Sequence, residues 1–366
     1  LTEQVEQSAQ KKIRRKKPID TSILIPSGST LLNLACSDDP FGAFALGRIV
    51  TMPGGSVSGK TMLALTTLAM CTADARFDKY DLIYDDGEES LSMDIEYLFG
   101  EELNVRLAAP GWDEEVDEPL HSETIQDFKS GILTRCGNPD KPFIYILDSL
   151  DSLTSDEELE REYKIAIAKA KSAEAVKELK GSYKTEKARH IGEALRMING
   201  SLKKTKSALF IVQQERDKIG TSFGKASTTS GGRAPYFYST HQLWFNNIGT
   251  LTKEVNYVKL KYGIKVRLEV SKNKINGKRR EIDFNIYEDY GVDDIASCVD
   301  FLVKFKHWEK EKETIIAHDL DMKGGRPGLI EKIEKAQAEY ELQKITGKVW
   351  NDIEESIRLG RNRNFG

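Results

Sequence analysis

The sequence predicts an α/β protein built on a mostly parallel sheet with helices on both faces. Three observations predict it. Apolar strand-like runs alternate with helix-like segments through most of the chain, a glycine-rich turn at residues 54–61 separates one such strand from a helix, and acidic residues stand where other strands end. Strand–helix alternation is the pattern of parallel sheets covered on both sides, and such sheets bind ligands outside the carboxyl ends of their strands.

Taken in order, residues 1–17 are polar and end in KKIRRKK. This run reads either as a solvated tail or as a contact for nucleic acid or a partner. TLLNLAC (30–36) has the spacing of a short amphipathic helix. Strands follow at RIVTM (48–52), YDLIYDD (80–86), FIYILDS (143–149) and SALFIVQQ (207–214), with helices such as TMLALTTLAMC (61–71) and GEALRMINGSLKK (192–204) between them. Three later strands, LWFNN (243–247), IKVRLEVSKNK (264–274) and RREIDFNIY (279–287), have no helices between them. They are expected to extend the sheet in antiparallel fashion, with NGK at 276–278 turning the last pair. Residues 156–188 are rich in Glu, Lys and Ala, with opposite charges three and four apart and weak apolar spacing. That pattern favours exposed helix, broken near Gly181 and Ser182. It serves either as a surface insertion or as an element facing a partner or DNA. Beyond Gly291 the pattern is mainly helical. The expected division is a tail and oligomerisation segment (1–36), a core carrying the insertion (37–292) and a small C-terminal α/β domain (293–366).

Composition bounds the function. The 366 residues carry a net charge of −4, so any nucleic-acid site must be local rather than a property of the bulk charge. Four cysteines lie far apart with no CxxC, and five histidines are scattered. Reduced thiols in the cytoplasm are expected, and no structural or catalytic transition metal. With no long apolar run and no signal peptide, neither membrane insertion nor secretion is expected. The chain opens on Leu1, which need not be its natural first residue.

The turn between strand and helix reads Gly54, Gly55, Ser56, Val57, Ser58, Gly59, Lys60, Thr61. A loop that wraps phosphate turns its N–H groups inward, which glycines permit, and the helix that follows points its positive end at the same phosphates. Lys60 neutralises β/γ-phosphate charge, and Thr61 offers a hydroxyl to Mg²⁺. This is a nucleotide-binding P-loop, and its metal needs a carboxylate. Asp148 ends the apolar strand FIYILD, where burial is costly unless the charge has a task. A second acidic group, Asp85, Asp86, Glu88 and Glu89, ends YDLIY. Glu88 is the first candidate for the group that orients or activates water, with Glu89 second.

These stretches together resemble the RecA family of recombination ATPases. GRIVTMPGGSVSGKT resembles its strand and P-loop, IYDDGEESL the segment with its catalytic glutamate (Glu88), and ILDSLDSLT its Walker B strand (Asp148 and Ser149). LFIVQQERDKIGTSFGKASTTSGGRAPYFYST (209–240) resembles its most distinctive stretch, and VSKNK (270–274) its paired lysines. The resemblance spans residues 30–305 and implies a RecA-like core using ATP and Mg²⁺. It implies that Gln214 ends its strand as a buried sensor of the γ-phosphate. Arg216, Lys218, Lys225, Thr228, Thr229, Ser230, Gly231, Gly232 and Arg233 would then meet DNA, the glycines permitting close backbone approach. Lys272 and Lys274 would reach the ATP of a neighbouring copy, and Tyr287 would add a contact from the neighbour. Partners so implied are single- and double-stranded DNA, further copies in a head-to-tail helical filament, loading or mediator proteins and a single-stranded-DNA-binding protein. The setting would be nucleoid-associated cytoplasm, or host cytoplasm for a virus-encoded member. Ile23 or Leu24 is the candidate anchor onto the next subunit. Where bacterial members hold adenine with Asp and Tyr, Ser92 and Ile95 stand here. Tyr236, Phe237 and Tyr238 read as core residues at strand spacing, or as stacking platforms for bases. Two other readings share this core: a ring-forming DNA motor, and a recombination regulator without strand exchange.

Overall fold

Both faces of the central sheet are covered, which is why its inner strands are apolar along their whole length rather than alternating. The computed structural model describes residues 19–169, 183–217 and 227–361. Ten strands form the sheet: β1 (Ile49–Gly54), β2 (Asp81–Asp86), β3 (Leu107–Ala108), β4 (Phe143–Asp148), β5 (Ala208–Asp217), β6 (Ser227–Thr229), β7 (His241–Val255), β8 (Val258–Asn273), β9 (Glu281–Tyr287) and β10 (Gly291–Val292). Their order is β10-β9-β8-β7-β1-β5-β4-β2-β3, with β6 paired to β5 off this path. β1 and β4 are buried throughout. One apolar layer packs the helices Thr30–Ser37 and Lys60–Thr72 and the C-terminal helices onto one face. The other packs Ile125–Arg135 and Tyr183–Thr205 onto the opposite face.

Several expectations change here. The strand at LWFNN pairs parallel to β1, so the sheet turns antiparallel only from β8 onward. It also runs on to Val255 and returns as β8 through a hairpin whose turn residues, Asn256 and Tyr257, both have φ near +50 to +63°. Two left-handed residues match the twist of a two-residue hairpin. The outer half of this hairpin is exposed, Tyr257 and Leu260 included, so no burial pattern marked it in the sequence. The helix Thr30–Ser37 is not amphipathic in effect, because Thr30 to Cys36 are all buried. Leu24 and Ile25 pair antiparallel with Phe44 and Ala45 in their own chain; Leu24 is buried there and Ile23 packs partly against the core.

After Gly291 the chain forms a small α/β region. A helix (Asp294–Lys304) leads into a three-stranded sheet (Glu309–Glu311, Thr314–Ala317, Met322–Gly325) and two further helices, Arg326–Lys335 and Glu339–Ser356. Trp308 is buried and donates its indole N–H to Asp319 Oδ2 at 2.9 Å. The same oxygen meets His307 Nε2 at 2.8 Å and His318 Nε2 at 3.3 Å, so two histidines that look scattered in sequence converge on one carboxylate. Arg280 donates to both carboxylate oxygens of Glu354, at 2.6 and 2.7 Å, tying this region to the sheet. No helix among the described residues is long and apolar enough to cross a membrane.

Asp294 joins the helix Thr30–Ser37 to the helix that opens the C-terminal region. Its carboxylate accepts the Thr30 N–H at 2.6 Å and the Thr30 hydroxyl at 2.7 Å, bridging helices that start 264 residues apart. Asp294→Ala leaves the buried Thr30 N–H without this acceptor and is expected to cost about 1–3 kcal/mol of stability. Urea unfolding measures this, and an unchanged midpoint would refute the bridge.

Candidate nucleotide site and the strand leading from it

The parallel register brings four strand ends to one edge of the sheet. Gly54 pairs with Gln214, Leu147 with Ile211, and Asp86 with Asp148. Everything that has the chemistry of a nucleotide site lies at or just beyond these ends.

From Gly54 the chain turns sharply into the helix Lys60–Thr72. A Cβ on Gly54 would meet Phe245 O at 2.7 Å, and one on Gly59 (φ +90°) would meet Ile286 Cδ1 at 2.3 Å, so both positions require glycine. Val57 also takes a left-handed φ of +52°, uncommon for a β-branched residue and a sign that the loop is held from outside. Ser58 Oγ donates to Gly55 O at 2.8 Å and closes the turn. No side chain caps the helix that follows, so its first N–H groups face the loop as anion donors. Lys60 is buried, with Nζ 2.5 Å from Gly55 O and 3.1 Å from Gly54 O. Burial pulls its pKa down, and the charges of Asp148 and Glu88 oppose that pull.

Asp148 is buried at the end of β4, and its Oδ2 accepts hydroxyls from Thr61 at 2.6 Å and Tyr84 at 2.9 Å. Burial raises its pKa, while the two hydroxyls and Lys60 hold it down. A divalent cation beside Thr61 and Asp148 would remove the cost of that buried charge, so the donor set fits Mg²⁺ with a phosphate. Tyr84 gave no signal in sequence, because an aromatic residue inside an apolar strand reads as core.

The acidic group after β2 divides by role. Asp85 is wholly buried, accepting Tyr145 O–H at 2.5 Å and Ser122 N–H at 2.8 Å, and Asp86 accepts Leu91 N–H at 2.8 Å. These two shape the turn. Glu88 and Glu89 are exposed. Glu88 Oε1 accepts Ser149 O–H at 2.6 Å and the Gln214 amide N–H at 2.9 Å. Its partners aim it at the P-loop edge, whereas Glu89 only closes the turn with its N–H on Asp86 O.

Gln214 departs from the expectation. It is exposed, and the buried glutamine is Gln213, whose Nε2 donates to Ser230 O at 2.9 Å. β5 does not end at Gln214 but continues to Asp217 and pairs with β6, setting Thr228 opposite Arg216 and Thr229 opposite Glu215. Lys218 and Lys225 lie outside the described residues. Gly231 (φ +82°) and Gly232 (φ +65°) turn the chain into the short helix Ala234–Tyr238. A Cβ on Gly231 would press on Pro235 at 3.0 Å and Ile191 at 3.2 Å, so this glycine is needed for packing within the chain. Arg233 is exposed. Tyr236, Phe237 and Tyr238 sit on that helix rather than on a strand. Tyr236 and Phe237 are exposed, while Tyr238 packs against the core, so the core reading holds for one of the three.

Lys272 and Lys274 converge on the C-terminal end of the same helix. Lys272 Nζ donates to Tyr236 O and, at 3.2 Å, to Phe237 O, and lies 4.4 Å from the centre of the Tyr236 ring. Lys274 Nζ reaches Phe237 O at 3.3 Å. Both lie far from the P-loop of their own chain: Lys274 N–H donates to Thr240 O, and Thr240 N–H donates to Ile49 O, at the opposite end of β1.

A cleft of about 280 Å³ opens beside the P-loop, lined by Val57–Met62, Met93, Lys261, Gly263, Ile264, Ile286, Tyr287 and Glu288. Its walls are apolar and one is an aromatic ring, Tyr287 stacked on Tyr262 with centroids 5.3 Å apart. That suits a flat base. Tyr287 therefore lines the cleft beside the P-loop of its own chain, and Met93, not Ser92 or Ile95, lines it as well. A larger cavity of about 610 Å³ contains no P-loop residue, and its Arg267 and Arg280 are already paired with Asp283 and Glu354.

With this geometry in place, the comparisons are specific. The family described as RecA N-terminal domain matches residues 5–293. The chain belongs to the RecA family. Protein RecA of Thermus thermophilus is 30% identical over 280 residues, 76% of this chain and 71% of that protein. Protein RecA of Chlamydia muridarum is 25% identical over 91% of this chain and 82% of its own length. That of Treponema denticola is 27% identical over 99% and 77%. Membership in the RecA family implies an ATPase, and the identities mark a distant member.

Lys272 yields a test that needs no nucleotide. Burial, and then the neighbouring charge of Lys274, lower its pKa to about 8. An amine with a lowered pKa is protonated below that value and free above it. In the nucleotide-free protein, Lys272 is therefore expected to become reactive to acetic anhydride as pH rises through about 8, well before an ordinary lysine near 10.4. Mass spectrometry of labelled peptides measures it, and a midpoint above 10 would show Lys272 to be solvated.

Proposed function

We propose that this chain is an ATP-dependent DNA recombinase that assembles on single-stranded DNA and promotes homologous pairing and strand exchange. One observation carries the reading. Gln214 Nε2 bonds the Glu88 carboxylate at the nucleotide edge, and its own strand runs directly into the basic Ser/Thr/Gly segment 215–233. A nucleotide-edge carboxylate and a DNA-facing segment thus share one side chain.

The roles follow from chemistry. The N–H groups of Gly54–Gly59 and of the first helical turn cradle phosphates, and Lys60 adds a positive charge with little freedom to move. Thr61 and Asp148 would hold Mg²⁺, which would supply charge neutralisation to bound phosphates. Glu88, oriented by Ser149 and Gln214, positions the attacking water. The cleft with Met93 and Tyr287 takes the base. Arg216, Lys218, Lys225 and Arg233 neutralise DNA phosphates, with Thr228, Thr229 and Ser230 as hydrogen-bonding neighbours. Lys272 and Lys274 sit too far from their own P-loop and supply charge to the ATP of the next copy, which makes the assembly head-to-tail.

Glu88→Gln is expected to keep nucleotide binding and assembly while lowering turnover about 10²–10⁴-fold. Normal turnover in this variant, with loss in Glu89→Gln, would move the role by one residue. The assembly itself is tested by electron microscopy with single-stranded DNA and a slowly hydrolysed ATP analogue. Extended helical filaments that need nucleotide are expected. Closed rings would indicate a motor, and isolated particles a regulator.

A further inference from the structure

Asp151 has no part in the scheme above, yet it joins the two ends of the segment that scheme assigns to DNA. It lies three residues beyond Asp148. Its Oδ2 accepts the backbone N–H of Gln214 at 2.7 Å, and its Oδ1 accepts the Ser230 hydroxyl. Its backbone carbonyl accepts Lys187 Nζ at 3.1 Å, from the helix Tyr183–Thr205 in which the charged insertion ends. Ser230 is buried and held a second time through its carbonyl by Gln213 Nε2, while Gln213 Oε1 is buried with no hydrogen-bond partner among the described residues.

We propose that Asp151 is a positioning residue that couples the nucleotide state at Gln214 to the placement of the DNA-facing segment at Ser230. This rests on the recombinase reading and names the joint within it. The argument is geometric. A carboxylate is rigid and planar, so its two oxygens cannot move independently. If the Gln214 backbone shifts when its side chain exchanges Glu88 for a phosphate, the bond to Oδ2 must break or the carboxylate must turn. Turning it displaces the Ser230 hydroxyl on Oδ1. The unpaired Gln213 oxygen beside Ser230 gives a second arrangement something to gain. Charge-assisted hydrogen bonds of this kind are strong enough to transmit such a shift.

The test compares single-stranded DNA affinity in a slowly hydrolysed ATP analogue with that in ADP, and takes the ratio. Asp151→Ala and Ser230→Ala are each expected to reduce the wild-type ratio about tenfold, while nucleotide affinity stays within about twofold. Asp151→Asn is expected to restore most of it, because its amide oxygen accepts the Gln214 N–H and its amide N–H donates to the Ser230 hydroxyl. An unchanged ratio in both alanine variants would overturn the proposal. If Asp151→Ala does not fold, Ser230→Ala decides on the ratio alone, since loss of a DNA contact by Ser230 lowers affinity with both nucleotides alike and leaves the ratio unchanged. Failure of Asn to restore the ratio would assign the effect to charge and overturn the hydrogen-bonded joint. A wild-type ratio near one would sink the DNA-coupled reading and the joint with it, whereas a large wild-type ratio retained in the variants sinks the joint alone.

Discussion

The structure depends on a register: β1 runs between β5 and β7, all parallel, with Gly54 opposite Gln214 on one side and Phe245 on the other. Parallel strands end at the same edge, so the turn after β1 and the carboxylates after β2 and β4 are delivered to one place without any long-range design of loops. A one-residue slip would exchange the two faces of each strand and separate Gly54 from Gln214. The register is protected because β1 and β4 are buried on both faces, where slipping has no solvent side to fall back on.

That edge concentrates charge in a place that resists charge. Burial lowers the pKa of Lys60 and raises that of Asp148; nearby carboxylates, Asp148 first, oppose the shift at Lys60, and the Thr61 and Tyr84 hydroxyls oppose it at Asp148. Such an arrangement is poor for stability and good for binding, since a phosphate–metal pair supplies both missing partners at once. The carboxylates not needed for this, Asp85 and Asp86, are each satisfied by local donors and shape the turn that presents Glu88.

What the sequence made legible follows from what is local. The glycine turn, the strand before it and the helix after it are adjacent in sequence, and their steric demands are absolute at Gly54 and Gly59. Asp148 was legible because a carboxylate at the end of an apolar run is costly. The choice between Gln213 and Gln214 was not, because a strand covered on both faces loses the alternation that tells inside from outside. Nor was the outer hairpin of β7 and β8, whose exposed Tyr257 and Leu260 offer no amphipathic pattern. Asp151, Tyr84 and Met93 matter through partners far away in sequence, which composition and spacing do not encode.

The paired lysines explain why one chain is not enough on the proposed reading. Lys274 is level with Ile49, five residues and about 17 Å of strand from Gly54. The intervening strand is rigid and packed on both sides, so no side-chain rotation brings these amines to their own P-loop. Their present partners at the end of the helix Ala234–Tyr238 are neutral carbonyls, so burial shifts the balance at Lys272 toward the neutral amine and lowers its pKa. A triphosphate presented by another copy would reverse that preference and hold the amine charged. The lysines and the P-loop then form one site only across two chains, with opposite edges of the same sheet facing each other. Such a head-to-tail contact repeats from copy to copy, and where its rotation does not close, as proposed here, it builds a filament.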